Sequence, residues 1–191
     1  MFGGSSVAVA GKDFPGATST QVTAPRGDFG PLGPLTDLAV ERLLLADKVA
    51  AAKFGTDKPI DDPAREQQVL DKVAELSISV GVDAEVSKRF FRDQMEANKL
   101  VQRSLYELWT THPELRPTDR PDLALEIRPQ LDTITTGMLE QLKITSDVRR
   151  PGVECEVGLF STIFSAAVDK QLDELHISAL GAALGSVCTA S

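Results

Sequence analysis

From about Thr36 onward the apolar residues of this chain recur at spacings of three and four, and almost no stretch alternates apolar with polar as a strand would. That period lines side chains along one face of a helix, so it restricts the chain to helices packed on helices. A length of 191 residues is enough for one domain with its own core and rather few for two. The expected architecture is therefore all-α: a single-domain helical bundle of about six helices with one very long central helix. Residues 1–30 show no sustained period and are rich in Ser, Thr, Pro and glycines from Gly3 to Gly30. They read as a flexible leader ahead of a helical domain over 31–191.

Local signals place the helix ends. The first helix is expected from about Pro34 or Thr36 to Phe54, with Thr36 as its cap and Gly55 as its stop. A second starts behind Asp62 and Pro63, a capping residue followed by a proline that suits a first turn, and ends near Gly81. The third spans about Ala84 to Thr111, on the order of 40 Å at about 1.5 Å per residue, and is the backbone of the fold. Behind the connector HPELRPTDRPD a fourth runs from about Leu123 to Leu142. Two more follow SDVRRPG, over about 153–171 and 174–187.

Several polar side chains fall on faces that such helices should bury. Leu38, Leu45 and Val49 mark a core-facing stripe on the first helix, and Arg42 and Lys53 share it. Eleven residues are three turns with about 20° left over, so the two cations point one way, roughly 16 Å apart. Either could simply lay its stem on apolar surface and put its head in water. Arg65 and Glu66 occupy the first turn of the second helix, where the carboxylate suits the helix dipole and the guanidinium does not. On the third helix Phe91, Met95, Asn98, Gln102, Leu105 and Trp109 form an inward row. Its two amides need partners, from each other or from a buried water, because an unsatisfied buried amide costs roughly 1–3 kcal/mol. Arg128 lies beside the stripe of Ile127, Leu131, Ile134 and Met138 on the fourth helix. Several cations facing a core with one carboxylate would be prohibitive without compensation, and a dianionic ligand would supply it.

The net charge of -8 argues against nucleic acid or an anionic membrane as partner. No apolar run approaches a membrane span, and the N-terminus lacks the pattern of a signal peptide, so a soluble chain whose export signal has been removed is expected. No serine or cysteine sits in a nucleophile elbow, and His112 and His176 are distant from each other and from any evident partner. With two cysteines and no ligand spacing, no metal is expected. Cys155 and Cys188 could be buried thiols. They could also close a loop of 33 residues, stabilising the C-terminal hairpin by roughly 3–4 kcal/mol in an oxidising compartment.

In order and spacing these residues resemble the all-helical AroQ-type chorismate mutases, and among them the secreted gamma subclass. ERLLLADKVAAAKFGTDKPIDDPAREQQVL is similar to the family's first-helix arginine, its VAxxK and its PIxDxxRE turn. RFFRDQMEANKLVQ resembles the long-helix segment that ends in a ligand-facing pair four residues apart. The likeness runs from about Leu35 to Cys188. It implies a rearrangement of chorismate to prephenate with no cofactor and no covalent intermediate. It also implies that Arg42, Arg65 and Arg128 hold the two carboxylates, the match at Arg128 taking a one-residue shift in the connector. Lys53 and Gln102 would donate to the ether oxygen. Glu66 would accept from the ring hydroxyl with Asp62 nearby, and Asn98 would contact a carboxylate or that hydroxyl. Val69 stands where some secreted relatives carry a polar side chain. Some relatives have glutamate at the Gln102 position, which must be protonated to donate; glutamine needs no proton, so weak pH dependence is expected. The resemblance further implies a Cys155–Cys188 disulfide, a secreted or periplasmic location, a complete site in each chain and a homodimer as an open option. The competing expectation is a secreted helical effector that binds a host protein and has no need of catalysis.

Overall fold

The computed structural model describes residues 30–189, and among these there are helices and turns and no strand. The expected leader lies outside the described residues apart from Gly30. Six α-helices follow in order: α1 (Gly33–Lys53), α2 (Pro63–Val80), α3 (Ala84–Thr111), α4 (Arg128–Ile144), α5 (Val153–Asp169) and α6 (Glu174–Ala183).

Capping chemistry accounts for most of the boundaries. Asp62 Oδ1 accepts from the Arg65 main-chain N–H at 3.0 Å, and Gly81 closes α2 in the left-handed conformation at φ 79°. Asp83 opens α3 by accepting from the N–H groups of Glu85 and Val86. Thr36 is not a cap. The helix starts earlier, at Gly33, because Pro34 is preorganised for a first turn. Thr36 is buried one turn in, where its hydroxyl donates to the Leu32 carbonyl and shares a hydrogen bond with Thr162 of α5.

The fourth helix also begins differently from the expectation. Asp122 caps a wide π turn over Leu123–Ile127, and only from Arg128 does regular α4 continue. Pro129 supplies the reason: it has no N–H, and its ring would crowd the Leu125 carbonyl in a regular α-turn, so the backbone opens by one residue. The widened turn brings Leu123, Ile127 and Arg128 to the edge of a cleft. α5 and α6 end at Asp169 and Ala183, shorter than their expected spans.

The core is shared between α1 and α3. Leu35, Ala39, Val40, Leu43, Leu45, Ala46 and Ala50 of α1 are all buried, so this helix is enclosed on most sides by α3, α4, α5 and α6 rather than burying a single stripe. Leu38 and Val49, expected as core markers, are half-buried. Small alanines let the neighbouring helices approach closely, and Phe90 and Phe91 of α3 fill the space beside them. Cys155 at the start of α5 is disulfide-bonded to Cys188 beyond α6, with the Cα atoms 5.8 Å apart.

Candidate functional site

A cleft of about 350 Å³ opens between α1, α2, α3 and the start of α4, within the size range of small-molecule sites. All eight residues singled out from the sequence line it: Arg42, Lys53, Asp62, Arg65, Glu66, Asn98, Gln102 and Arg128. They come from four helices and are separated by up to 86 positions, so only the fold brings them together.

Arg42 lies at the base. It is 6% exposed, its Nε has no hydrogen-bond partner among the described residues, and its guanidinium sits 5.8 Å from the centre of the Phe91 ring. Burial pushes its pKa down to about 10, opposed in part by the charge of Asp132. An arginine held this way is short of an acceptor. Lys53 ends α1 and is half-buried. Desolvation lowers its pKa and Arg128 adds to the effect, while Asp62, Asp61 and Glu66 oppose it. One of its three N–H groups donates to the Pro59 carbonyl at 2.9 Å, which pins the 54–62 loop to the cleft and leaves two donors for a ligand.

Asn98 and Gln102 do not bond each other's side chains, contrary to the simplest reading of their spacing. Each amide donates instead to the main-chain oxygen one turn earlier, Asn98 to Gln94 at 3.0 Å and Gln102 to Asn98 at 3.2 Å. Gln102 is buried, its Oε1 has no partner, and each amide keeps a second N–H. Arg65 and Arg128 are not on the core side: both are exposed at the rim, and Arg65 donates to Gln68 Oε1. Asp62 faces the cleft while capping α2.

One contributor escaped the sequence reading. Lys99, adjacent to Asn98 on α3, is buried and donates to both oxygens of Glu66 at 3.2 Å each, and it also pairs with Asp61 at 3.6 Å and Glu96 at 2.5 Å. Burial alone would lower its pKa, but hydrogen bonds to Glu96 and Glu66 outweigh that and raise it. A lysine amid polar neighbours looks like solvated surface in sequence, and its partner lies 33 positions away. Lys58, Asp132 and Thr135 were missed in the same way. His176, taken as lacking a partner, has two: Asp173 at 2.7 Å and Asp47 at 3.1 Å. This triad ties α6 to α1 and does not line the cleft.

Chemically, the cleft is a cation-rich recess. Six of its lining side chains are Lys or Arg and three are Asp or Glu, in a chain whose net charge is -8. Apolar walls from Val49, Ile60, Val69, Met95 and Leu131 lower the local dielectric and strengthen these charges. Such a site suits a small dianion with an apolar body.

Comparison with known proteins agrees with that chemistry. Residues 34–103 match the family described as chorismate mutase type II. The secreted chorismate mutase of Mycolicibacterium smegmatis is 33% identical over 181 residues, 95% of each chain. That of Mycobacterium tuberculosis is 33% identical over 160 residues, 83% of this chain and 79% of the relative. Among solved structures, the chorismate mutase from Burkholderia phymatum superposes with a TM-score of 0.81 at 32% identity, covering 85% of this chain and 99% of that one. The enzyme from Burkholderia thailandensis gives 0.78 at 35%, with 83% and 99% covered.

Proposed function

The chain belongs to the chorismate mutase family, and from that premise we infer that its cleft binds chorismate and rearranges it to prephenate. The reaction is intramolecular: the ether C–O bond breaks as a new C–C bond forms, with no proton taken up and no cofactor engaged. Catalysis then rests on holding the reactive conformer and stabilising the charge that develops on the ether oxygen. The observation that carries this reading is the buried Arg42 with its unpartnered Nε, in a recess where cations outnumber carboxylates. A helical interaction protein has no use for such a group, which costs stability unless an anion meets it.

Arg42 would receive one carboxylate of the substrate at the base, and Arg65 and Arg128 the other at the rim, where guanidinium forks favour two-point contacts. Lys53 and Gln102 would donate to the ether oxygen from α1 and α3. Glu66 would accept from the ring hydroxyl, with Lys99 fixing the carboxylate through both oxygens, and Asp62 and Asn98 would complete the polar wall. The relatives named as secreted support an exported location, in keeping with the disulfide. Every cleft residue comes from one chain, so a homodimer would carry two complete sites.

Loss of chorismate absorbance from pH 5 to 8, measured for the purified protein and for Lys53→Ala, tests the reading. Turnover that is nearly flat in pH and falls by at least about a thousandfold in the variant is expected from the loss of a donor to the developing charge. A folded, disulfide-intact protein with no turnover would refute it.

A further inference from the structure

The mechanism above uses five of the six cations that line the cleft and leaves out Lys58. Among the described residues Lys58 is bonded through its main chain, its N–H donating to Thr56 Oγ1 at 3.2 Å, while its ammonium has no hydrogen bond or ion pair. The loop that carries it is held from both ends. Gly55 turns the chain at φ 73°, Thr56 Oγ1 donates to the Lys53 carbonyl at 2.6 Å, and Lys53 Nζ donates to the Pro59 carbonyl at 2.9 Å. Further on, Arg103 and Lys99 of α3 pair with Asp61 at 2.6 Å and 3.6 Å. Pro59 also biases Lys58 toward extended backbone, because a proline ring crowds a helical residue ahead of it. A long side chain on so fixed a loop can sweep only the mouth of the cleft.

At that mouth stands Asp122, which caps the π turn ahead of Arg128. Its carboxyl is held below the usual range chiefly by the N–H groups of Leu125 and Ala124, against burial, with the charges of Lys58 and Arg128 adding to the effect. Both cations therefore bear on one small region of the rim. Asp122 is bonded there to main-chain N–H groups and to neither cation. Two like charges at one edge repel until an anion lies between them.

We propose that Lys58 is a substrate-binding residue that forms, with Arg128, a two-cation clamp for the outer carboxylate of the bound dianion. The proposal rests on chorismate as the ligand and adds a rim contact to its site. Lys58 is exposed, so its attraction is screened by salt and acts on encounter and binding. Lys53 and Gln102 remain the donors to the ether oxygen, so the rearrangement itself should not need Lys58.

Steady-state kinetics at pH 7 of Lys58→Met, Lys58→Arg and Lys143→Met test this. Lys143 is exposed at the end of α4 and outside the cleft, so its variant makes the same change in net charge without touching the rim. Lys58→Met should raise KM about fivefold with kcat within about twofold, the loss expected of one exposed charge contact. Lys58→Arg should restore KM to within about twofold, and Lys143→Met should match the wild type. Added salt should raise KM less steeply in Lys58→Met than in the wild type. A Lys58→Met variant that matches Lys143→Met, loses kcat with KM unchanged, or is not rescued by arginine overturns the clamp and leaves the mutase reading standing. A wild type without turnover overturns the mutase reading, and the Kd of prephenate by titration calorimetry then decides the clamp. A Kd about fivefold weaker in Lys58→Met supports it, whereas an unchanged Kd, or no prephenate binding by the wild type, overturns it.

Discussion

Replacing Arg42 with methionine should make the protein more stable and at the same time nearly inactive. Arg42 is 6% exposed, its Nε has no partner among the described residues, and burial brings its pKa down to about 10. At about 1.4 kcal/mol per tenfold, that fall corresponds to on the order of 3 kcal/mol of solvation not recovered within the fold. Contact with the Phe91 ring returns about 1 kcal/mol. Methionine keeps most of the stem's packing and adapts to the remaining space. The net expectation is a gain of about 2 kcal/mol, which for a chain of this size raises Tm by roughly 4–8 °C. Because the same group would receive a substrate carboxylate, kcat/KM should fall by at least about a hundredfold, the cost of about 3 kcal/mol of charge-assisted contact. Thermal melts followed by circular dichroism, alongside the chorismate absorbance assay, give both numbers. A variant that melts below the wild type and keeps more than a tenth of its kcat/KM would refute the assignment of Arg42 as a strained ligand anchor.

Gln102→Glu should convert a flat pH profile into an acid-favoured one, because a carboxyl at this buried position donates only when protonated; the activity should drop at least about tenfold between pH 5 and 8. Lys99→Met removes both hydrogen bonds to Glu66, so kcat should fall by about tenfold with a smaller change in KM, and Lys99→Arg should recover most of it. His176 has its pKa raised to about 9, chiefly by the hydrogen bond to Asp47 of α1, against burial and with help from Asp173 at the start of α6. A raised folded-state pKa contributes stability that is complete below the unfolded value near 6.5 and is lost as pH climbs through 9. Urea unfolding at pH 6 and pH 9.5 should therefore differ by on the order of 2 kcal/mol, and His176→Gln should remove most of that difference.

Helix identity and most helix ends were legible in the sequence because they depend on neighbours. The 3.6 period, the Asp62–Pro63 start, the Gly81 stop and the full span of α3 all follow from side chains acting on backbone within a turn. Among the boundaries that differ from expectation, the π turn before Arg128 comes from Pro129, whose effect on a preceding carbonyl can be absorbed by widening a turn as well as by ending a helix. Arg42, Lys53, Asn98 and Gln102 could be singled out because polar groups on an apolar stripe break a local rule, and such breaks mark ligand sites.

The remaining features depended on contacts across the chain. That Lys99 holds Glu66, that His176 lies between Asp173 and Asp47, and that Arg65 and Arg128 stand at the rim while Arg42 is buried at the base are facts of packing between helices. So is the bare face of α5, whose apolar residues look like core in sequence and become surface only because its small residues take the inner side. Sequence alone determined which segments are helical and which side chains were out of place on them, since both are matters of spacing along one helix. Only the tertiary structure decided which of those side chains share a cleft, because burial and electrostatic pairing depend on what the opposite helix brings.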